Sequence, residues 1–455
     1  MLYIIQNVES FTKTNGGILM KKIDDIKALL ISGEMEAKFL DIYLDPAKAS
    51  AQKDRYIKAL DSFRGHFGDA AVEIYSAPGR TEVGGNHTDH QHGEVLAASI
   101  NDDAIAVAAP RDDASVRVLS EGYPMITLSI SDEMSPLPEE EGTTAGLIRG
   151  MLAGMKDRGY STGGFDAYIT SDVLGGSGLS SSAAFETLIG TILSGLYNEM
   201  NCDAVTIAKI GQYAENVYFG KPCGLMDQMA CSVGSLCHMN FADPNDPKIE
   251  RIDFDLSAAG FSLCITDTKG SHADLTPDYA AVPAEMKAVA KYFGKEVLHD
   301  VPEELMLAGI PELRAALGDR PVLRAMHFYN ECRRVRTQAA ALKDNDLELF
   351  LQAVKASGDS SFKFLQNVYT SRDVQHQNVS IALSVSEQVL KYTGGTAKLT
   401  DTGVARVHGG GFAGTIQAFV PDASVQDYRS AMDKVFGDGA CMVLKIRKYG
   451  GIKVV

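Results

Sequence analysis

Between Gly84 and Gly93 the chain reads GGNHTDHQHG, which gathers His87, Asp89, His90 and His92 within six residues. Imidazole and carboxylate at such spacing are common zinc ligands, so the stretch is either a metal site or a binding loop of another kind. A second stretch, LGGSGLSSSAA at 174–184, joins glycines and a run of hydroxyls to an apolar periodic segment. Glycines let backbone approach a ligand closely, and a helix N-terminus offers unpaired N–H groups and a positive dipole end, which together bind anions and most often phosphate. The lysine of a Walker A loop is missing, as are the HRD and DFG signatures of protein kinases. A serine-capped helix after a flexible turn accounts for the same residues without any ligand. Asp227, in CGLMDQMA at 223–230, has apolar neighbours and reads either as a solvent-facing cap or as a buried functional acid. VHGGGFAG at 407–414 holds four glycines in eight residues, the mark of close backbone contact with a ligand or of a tight bulge.

The elements that must position these groups follow from periodicity. From Met20 to Gly68 the pattern is helical and charged. AVEIYSAPGR predicts a strand running into a Pro-Gly turn, and DAIAVAAP, SVRVLS and GFDAYITSDV predict further strands. After the glycine-serine loop, Phe185, Leu188, Ile189, Ile192 and Leu196 recur at helical spacing. TIAKIGQYAENVYFG predicts a second helix, stopped by Gly220 and Pro222. PNDPK at 244–248 has the composition of a linker. Beyond it FSLCITDT predicts a buried strand, helices dominate from about Pro283 to Tyr392, and ARVHGGGFAGTIQAFV is a glycine loop feeding a strand. Strands mixed with helices in both halves predict an α+β protein of two lobes, 20–245 and 246–455.

At 455 residues the chain exceeds what one core usually organises. Its net charge of −16 speaks against nucleic acid or an anionic membrane surface as a main partner, so an anionic ligand needs local positive charge or backbone N–H groups. Seven cysteines without a C-x-x-C pair, and no secretory signal, predict a reduced, cytoplasmic setting. Residues 1–19 are read as a leader or a mis-assigned start. Gly16-Gly17 lie just upstream of Met20, where glycine codons could be a ribosome-binding site.

Taken together, APGRTEVGGNHTDHQHG, GGSGLSSSAA and VHGGGFAG fall in the order and approximate spacing of the three motifs of the GHMP small-molecule kinases. The first resembles the galactokinase signature, usually G-R-x-N-L-I-G-E-H-T-D-Y-N-x-G, and YAENVYFGKPCGLMDQM resembles the galactokinase helix ending in C-G-I-M-D-Q. SHADLTPDYAAVPAEM at 271–286 is similar to the segment whose tyrosine packs on the sugar. The resemblance spans about residues 70–445 and implies the GHMP kinase fold, with the active site between two lobes. It implies ATP-dependent phosphorylation of the anomeric hydroxyl of galactose. It turns His87 and Asp89 from zinc ligands into sugar ligands, joined by Asn86, Gly224 and Tyr279. Gly175, Gly176, Ser177, Gly178, Leu179, Ser180, Ser181 and Ser182 would wrap the triphosphate of ATP, and Ser182 with Glu215 would hold Mg2+. Asp227 would accept the proton of the sugar hydroxyl or orient it, with Arg80 keeping it ionised and neutralising the transferring group.

The chain also departs from the pattern. Asn86 stands where the family has glutamate, His90 where it has tyrosine, Thr81-Glu82-Val83-Gly84 where it has V-N-L-I, and Leu174 where it has proline. Loss of a charge at Asn86 leaves room for another galacto-configured sugar, such as galacturonate, N-acetylgalactosamine or arabinose. A non-catalytic sugar sensor is the competing class. Such a sensor is expected to lose part of the phosphate loop or the catalytic pair, and here both are present. Oligomeric state is not legible.

Overall fold

Ala71–Gly84 and Glu94–Pro110 are antiparallel partners at the centre of a ten-stranded sheet. The structure is a computed structural model; it describes residues 12–13, 19–131, 134–173, 175, 178–221, 223–244, 246–270, 275–392 and 397–455. Leu174, Gly176 and Ser177 of the expected phosphate loop therefore lie outside the described residues, as do Pro222, 271–274, and 1–11 and 14–18 of the expected leader. Leu19–Lys22 pairs with the start of the Ala71–Gly84 strand.

Both central strands are buried almost throughout, because both faces are covered, and such strands read as near-continuous apolar runs. On one face Val72, Ile74, Ile105 and Val107 pack against the helices Ile23–Ser32, Glu36–Tyr43 and Pro46–Phe67. On the other, Tyr75, Ala77, Ala104 and Ala106 meet Ile148, Leu188, Ile189 and Ile192 of the helices Thr144–Asp157 and Ser181–Asn198. The Pro-Gly turn expected at 78–79 is absent. The strand runs on through both residues, with a register shift between Pro78 and Arg80 that accommodates the missing proline N–H.

Phe261–Asp267, Val404–His408, Thr415–Pro421 and Cys441–Leu444 form a second, four-stranded antiparallel sheet backed by helices, among them Leu347–Ser360, Asn378–Leu390 and Val425–Phe436. The mixture of sheets and helices is α+β. One core crosses between the lobes: Val83, Leu96, Leu179 and Ala183 are contiguous with Leu263, Val335, Val404 and Phe419. The division expected at 245/246 falls between the two strands of a hairpin, since Lys248–Ile252 still pairs with Leu236–Asn240 of the first sheet. The chain end also returns to that sheet, where Ile452–Lys453 pairs with Tyr75 and Ser76. Among the described residues no helix is long and apolar enough to cross a membrane.

Candidate active site

The loop 85–93 joins the two central strands, and its closure is set by backbone constraints. Gly85 has φ +92, and a Cβ there would lie 2.7 Å from Val95 Cα. Thr88 Oγ1 donates to the carbonyls of Gly85 and Glu94 at 2.8 and 2.7 Å, pinning both ends. The helix Asp319–Lys343 holds the loop from the other lobe: His327 Nε2 donates to the Asn86 carbonyl at 2.9 Å, and Glu331 accepts the Gly85 N–H at 3.1 Å. The loop is thus a rigid platform.

His87 Nε2 donates to the Gly410 carbonyl at 3.1 Å, which ties the H-T-D loop to the VHGGGFAG segment. That segment connects the paired strands Val404–His408 and Thr415–Pro421. Tyr279, on the helix Thr276–Tyr292, donates to Gly411 O at 2.6 Å and packs edge-on against Phe412 at 5.3 Å. Asp89 lies against Gly224, where any Cβ would overlap its Oδ2. Burial, with Asp227 and Glu82 nearby, pushes the Asp89 carboxyl up to about 6 against the pull of a backbone hydrogen bond. Burial likewise lowers His87, and it lowers His90 to about 3, so both rings are neutral at pH 7. Asn86 is in the same loop, but its amide is taken up by protein. It donates to Glu82 and to Gly409 O, and accepts from Asn367 Nδ2 at 2.8 Å.

Arg80 and Asp227 form a bidentate pair, Nε to Oδ1 at 2.8 Å and NH2 to Oδ2 at 2.7 Å. Burial pushes the Asp227 carboxyl up, but the Arg80 charge and hydrogen bonds, with Ser180, outweigh it and hold the group below its ordinary value. The side chain is nonetheless 32% accessible, which leaves one side open to a reactant. Ser180 Oγ donates to Asp227 Oδ2 at 2.8 Å. This replaces the expected serine cap. Ser180 precedes the helix Ser181–Asn198, yet its hydroxyl is spent on the acid and makes no cap hydrogen bond to the helix N-terminus. Arg80 also donates through NH1 to the Gly178 carbonyl and through its backbone N to Leu179 O, so one arginine fixes both the acid and the phosphate loop. Gly175 and Gly178 are exposed, Leu179 is buried, and Ser181 and Ser182 are half-buried at the helix start.

Glu215 is buried in a π-helical turn, Ala214–Tyr218, that ends the second expected helix, Ala204–Tyr213. It accepts from Lys221 Nζ at 3.0 Å and Gln228 Nε2 at 2.8 Å. Gln228 also donates to Glu186 at 3.0 Å. Burial and the neighbouring Glu215 push the Glu186 carboxyl well above its usual range. Glu186 and Gln228 carry no role in the sequence, and Glu82 stands out there only as a departure from the family pattern. Helical spacing marks apolar faces only, so a buried glutamate at 186 leaves no trace in it, whereas Gln228 beside Asp227 was within reach.

The arrangement sets an ionised acid, held by an arginine, beside the start of the helix Ser181–Asn198, with the buried Asp89 of the loop 85–93 near it. Residues 61–110 match the galactokinase galactose-binding signature, and residues 146–235 match the GHMP kinases N terminal domain. A galactokinase of Actinobacillus pleuropneumoniae serotype 5b is 30% identical over 375 residues, covering 82% of this chain and 91% of the relative. One from Streptomyces coelicolor is 29% identical over 380 residues, covering 83% and 92%. The crystal structure of Lactococcus lactis galactokinase complexed with galactose superposes with a TM-score of 0.72 at 25% identity, over 88% of this chain and 100% of the other. With its signature, its relatives and its fold in agreement, the chain belongs to the galactokinase family of GHMP kinases and is a sugar kinase.

Proposed function

We propose that the protein transfers the γ-phosphoryl group of ATP to the anomeric hydroxyl of galactose, giving galactose 1-phosphate and ADP. The observation that carries this reading is the Arg80–Asp227 pair, tied through Ser180, Gly178 and Leu179 to the phosphate loop. Its relatives named galactokinase, and the likeness to a galactokinase complexed with galactose, support the choice of sugar.

In this reading His87, Asp89, Gly224 and Tyr279 line the sugar, and Asn86 holds the loop that presents it. Gly175, Gly176, Ser177, Gly178, Leu179, Ser180, Ser181 and Ser182 take the triphosphate on backbone N–H groups at the helix start. Ser182 and Glu215 would hold Mg2+, for which hydroxyl and carboxylate oxygens are suitable hard donors; when bound, it neutralises phosphate charge. The buried Glu215 carboxylate, oriented by Lys221 and Gln228, fits that role. Asp227 orients the C1 hydroxyl. As the new O–P bond forms and the bond to the ADP oxygen breaks, the hydroxyl becomes acidic enough for even this weakly basic carboxylate to take its proton. Arg80 stabilises negative charge on the transferring group. Seven cysteines free of disulfides support a cytoplasmic setting.

The test is product identity. Incubation with ATP, magnesium and galactose should yield a sugar phosphate whose phosphorus couples to the anomeric proton in NMR. Phosphate on C6, or release of ADP without a sugar phosphate, would overturn the reading.

A further inference from the structure

Arg80 reaches Gly178 directly, and its neighbour Thr81 leads to the same glycine through the second lobe. Thr81 Oγ1 lies 3.1 Å from His408 Nε2, and His408 Nδ1 lies 2.8 Å from Thr415 Oγ1. His408 and Thr415 face each other across the paired strands Val404–His408 and Thr415–Pro421, and all three residues are buried.

The direction of these hydrogen bonds follows from their neighbours. The Glu82 backbone N–H points at His408 Nε2 at 3.4 Å, so that nitrogen accepts. Thr81 Oγ1 accepts from Gln417 Nε2 at 2.6 Å and gives its own hydrogen to the ring. Burial lowers His408 to about 3, so the ring is neutral and carries one proton, on Nδ1, which it donates to Thr415. The Thr415 hydroxyl then keeps its own hydrogen, and among the described residues no acceptor takes it. Gly178 stands beside this group. A Cβ at 178 would lie 3.0 Å from Thr415 Oγ1 and 3.4 Å from His408 Nδ1, and φ of +73 favours glycine there as well.

We propose that Thr415, set by His408, is a positioning residue for the nucleotide: the second lobe offers one hydroxyl donor beside Gly178 and so holds the phosphate loop in the form that takes the triphosphate. The proposal rests on the reading that this loop binds ATP. Arg80 NH1 holds the Gly178 carbonyl from the first lobe, so the glycine is fixed from both. A loop ordered before its ligand arrives loses less entropy on binding. The connection 409–414 between His408 and Thr415 has its own ties, from Asn86 to Gly409 O, His87 to Gly410 O and Tyr279 to Gly411 O. Removing one hydroxyl at 415 therefore leaves the sugar side in place.

Calorimetric titration with ATP and magnesium, and separately with galactose, tests this without turnover. Thr415→Val keeps the shape and loses the donor, so it should weaken ATP binding about tenfold while the galactose Kd moves less than about twofold. Thr415→Ser keeps the hydroxyl and should bind ATP nearly as wild type does. His408→Asn retains a donor at the Nδ1 place, whereas His408→Gln retains a group only at the Nε2 place. The glutamine variant should bind ATP more weakly than the asparagine one, and adding Thr415→Val to it should cost little more. Unchanged ATP affinity in Thr415→Val would overturn the proposal, as would a loss matched by an equal loss of galactose affinity, the mark of general damage. Should Thr415→Val not fold, the contrast of Thr415→Ser with Thr415→Ala decides in the same way. Wild type that binds no ATP would overturn the nucleotide reading too, whereas wild type that binds ATP but not galactose would sink only the choice of sugar.

Discussion

Asp227 shows how one side chain can be both buried among partners and available for chemistry. Two nitrogens of Arg80 and one hydroxyl of Ser180 hold it ionised, while the side chain stays partly accessible. Asp227→Asn keeps the shape and loses the charge, so ATP binding should persist while kcat falls by about 10²–10⁴-fold. Single-turnover kinetics with the nucleotide KM as control would check this, and wild-type turnover would remove Asp227 from the mechanism. Asp89 makes a pH prediction. Its folded value of about 6 means that free enzyme carries a neutral Asp89 below that pH and an ionised one above it. If the ionised form binds the sugar, kcat/KM for sugar should fall as pH drops through about 6, and Asp89→Asn should abolish that limb. The sign for stability is opposite. A raised carboxyl favours the folded state fully only below its ordinary value, and that contribution is lost as pH rises through about 6, so Asp89→Asn should stabilise the unliganded protein at pH 7. The motif residues were legible because chemistry restricts their types. Glu82 and Glu186 were not, because a buried carboxylate is defined by partners distant in the chain.

At the scale of elements, the helix Ser181–Asn198 and the connection 409–414 are built by opposite devices. At the helix start Ser180 makes no cap hydrogen bond, a feature that serine-rich composition alone cannot distinguish from ordinary capping. The glycine connection is fixed by contact. Gly411 has φ +82 and lies where a Cβ would overlap the Asn367 carbonyl, so Gly411→Ala should cost about 1–3 kcal/mol by denaturant unfolding and raise the sugar KM through Tyr279. Unchanged stability would show that the connection yields easily. Most strands and helices were legible from periodicity, including Phe165–Ser171 and Phe261–Asp267. The Pro78-Gly79 turn was misread because local turn chemistry is overridden here. Gly79 packs where a Cβ would be 2.9 Å from Leu179 O, and the strand needs that close approach to bring Arg80 to the phosphate loop.

At the scale of the molecule, the lobes are joined by shared core and by buried charge. Arg447, near the chain end, pairs with Asp103 of the central sheet at 3.0 Å with both side chains fully buried, and also bonds Ser76 at 2.8 Å. Arg55 NH1 holds the same carboxylate at 2.7 Å, so Arg447→Ala leaves Asp103 one of its two cations and should destabilise by about 1–3 kcal/mol in equilibrium unfolding. A loss near zero would show that Arg55 alone suffices for the carboxylate. The two-lobed α+β plan was legible from the alternation of element types. The return of the chain end to the first sheet was not, because Ile452–Lys453 is too short to carry a pattern and is placed only by its pairing with Tyr75 and Ser76. ADP release decides whether this molecule phosphorylates galactose. Wild type and Asp227→Asn are compared with galactose, N-acetylgalactosamine, galacturonate, arabinose and glucose at saturating ATP and magnesium. Rapid ADP release by wild type with galactose is expected, with far less from glucose and almost none by the variant; wild type that binds galactose and ATP yet releases no ADP with any of the five sugars would contradict galactose phosphorylation.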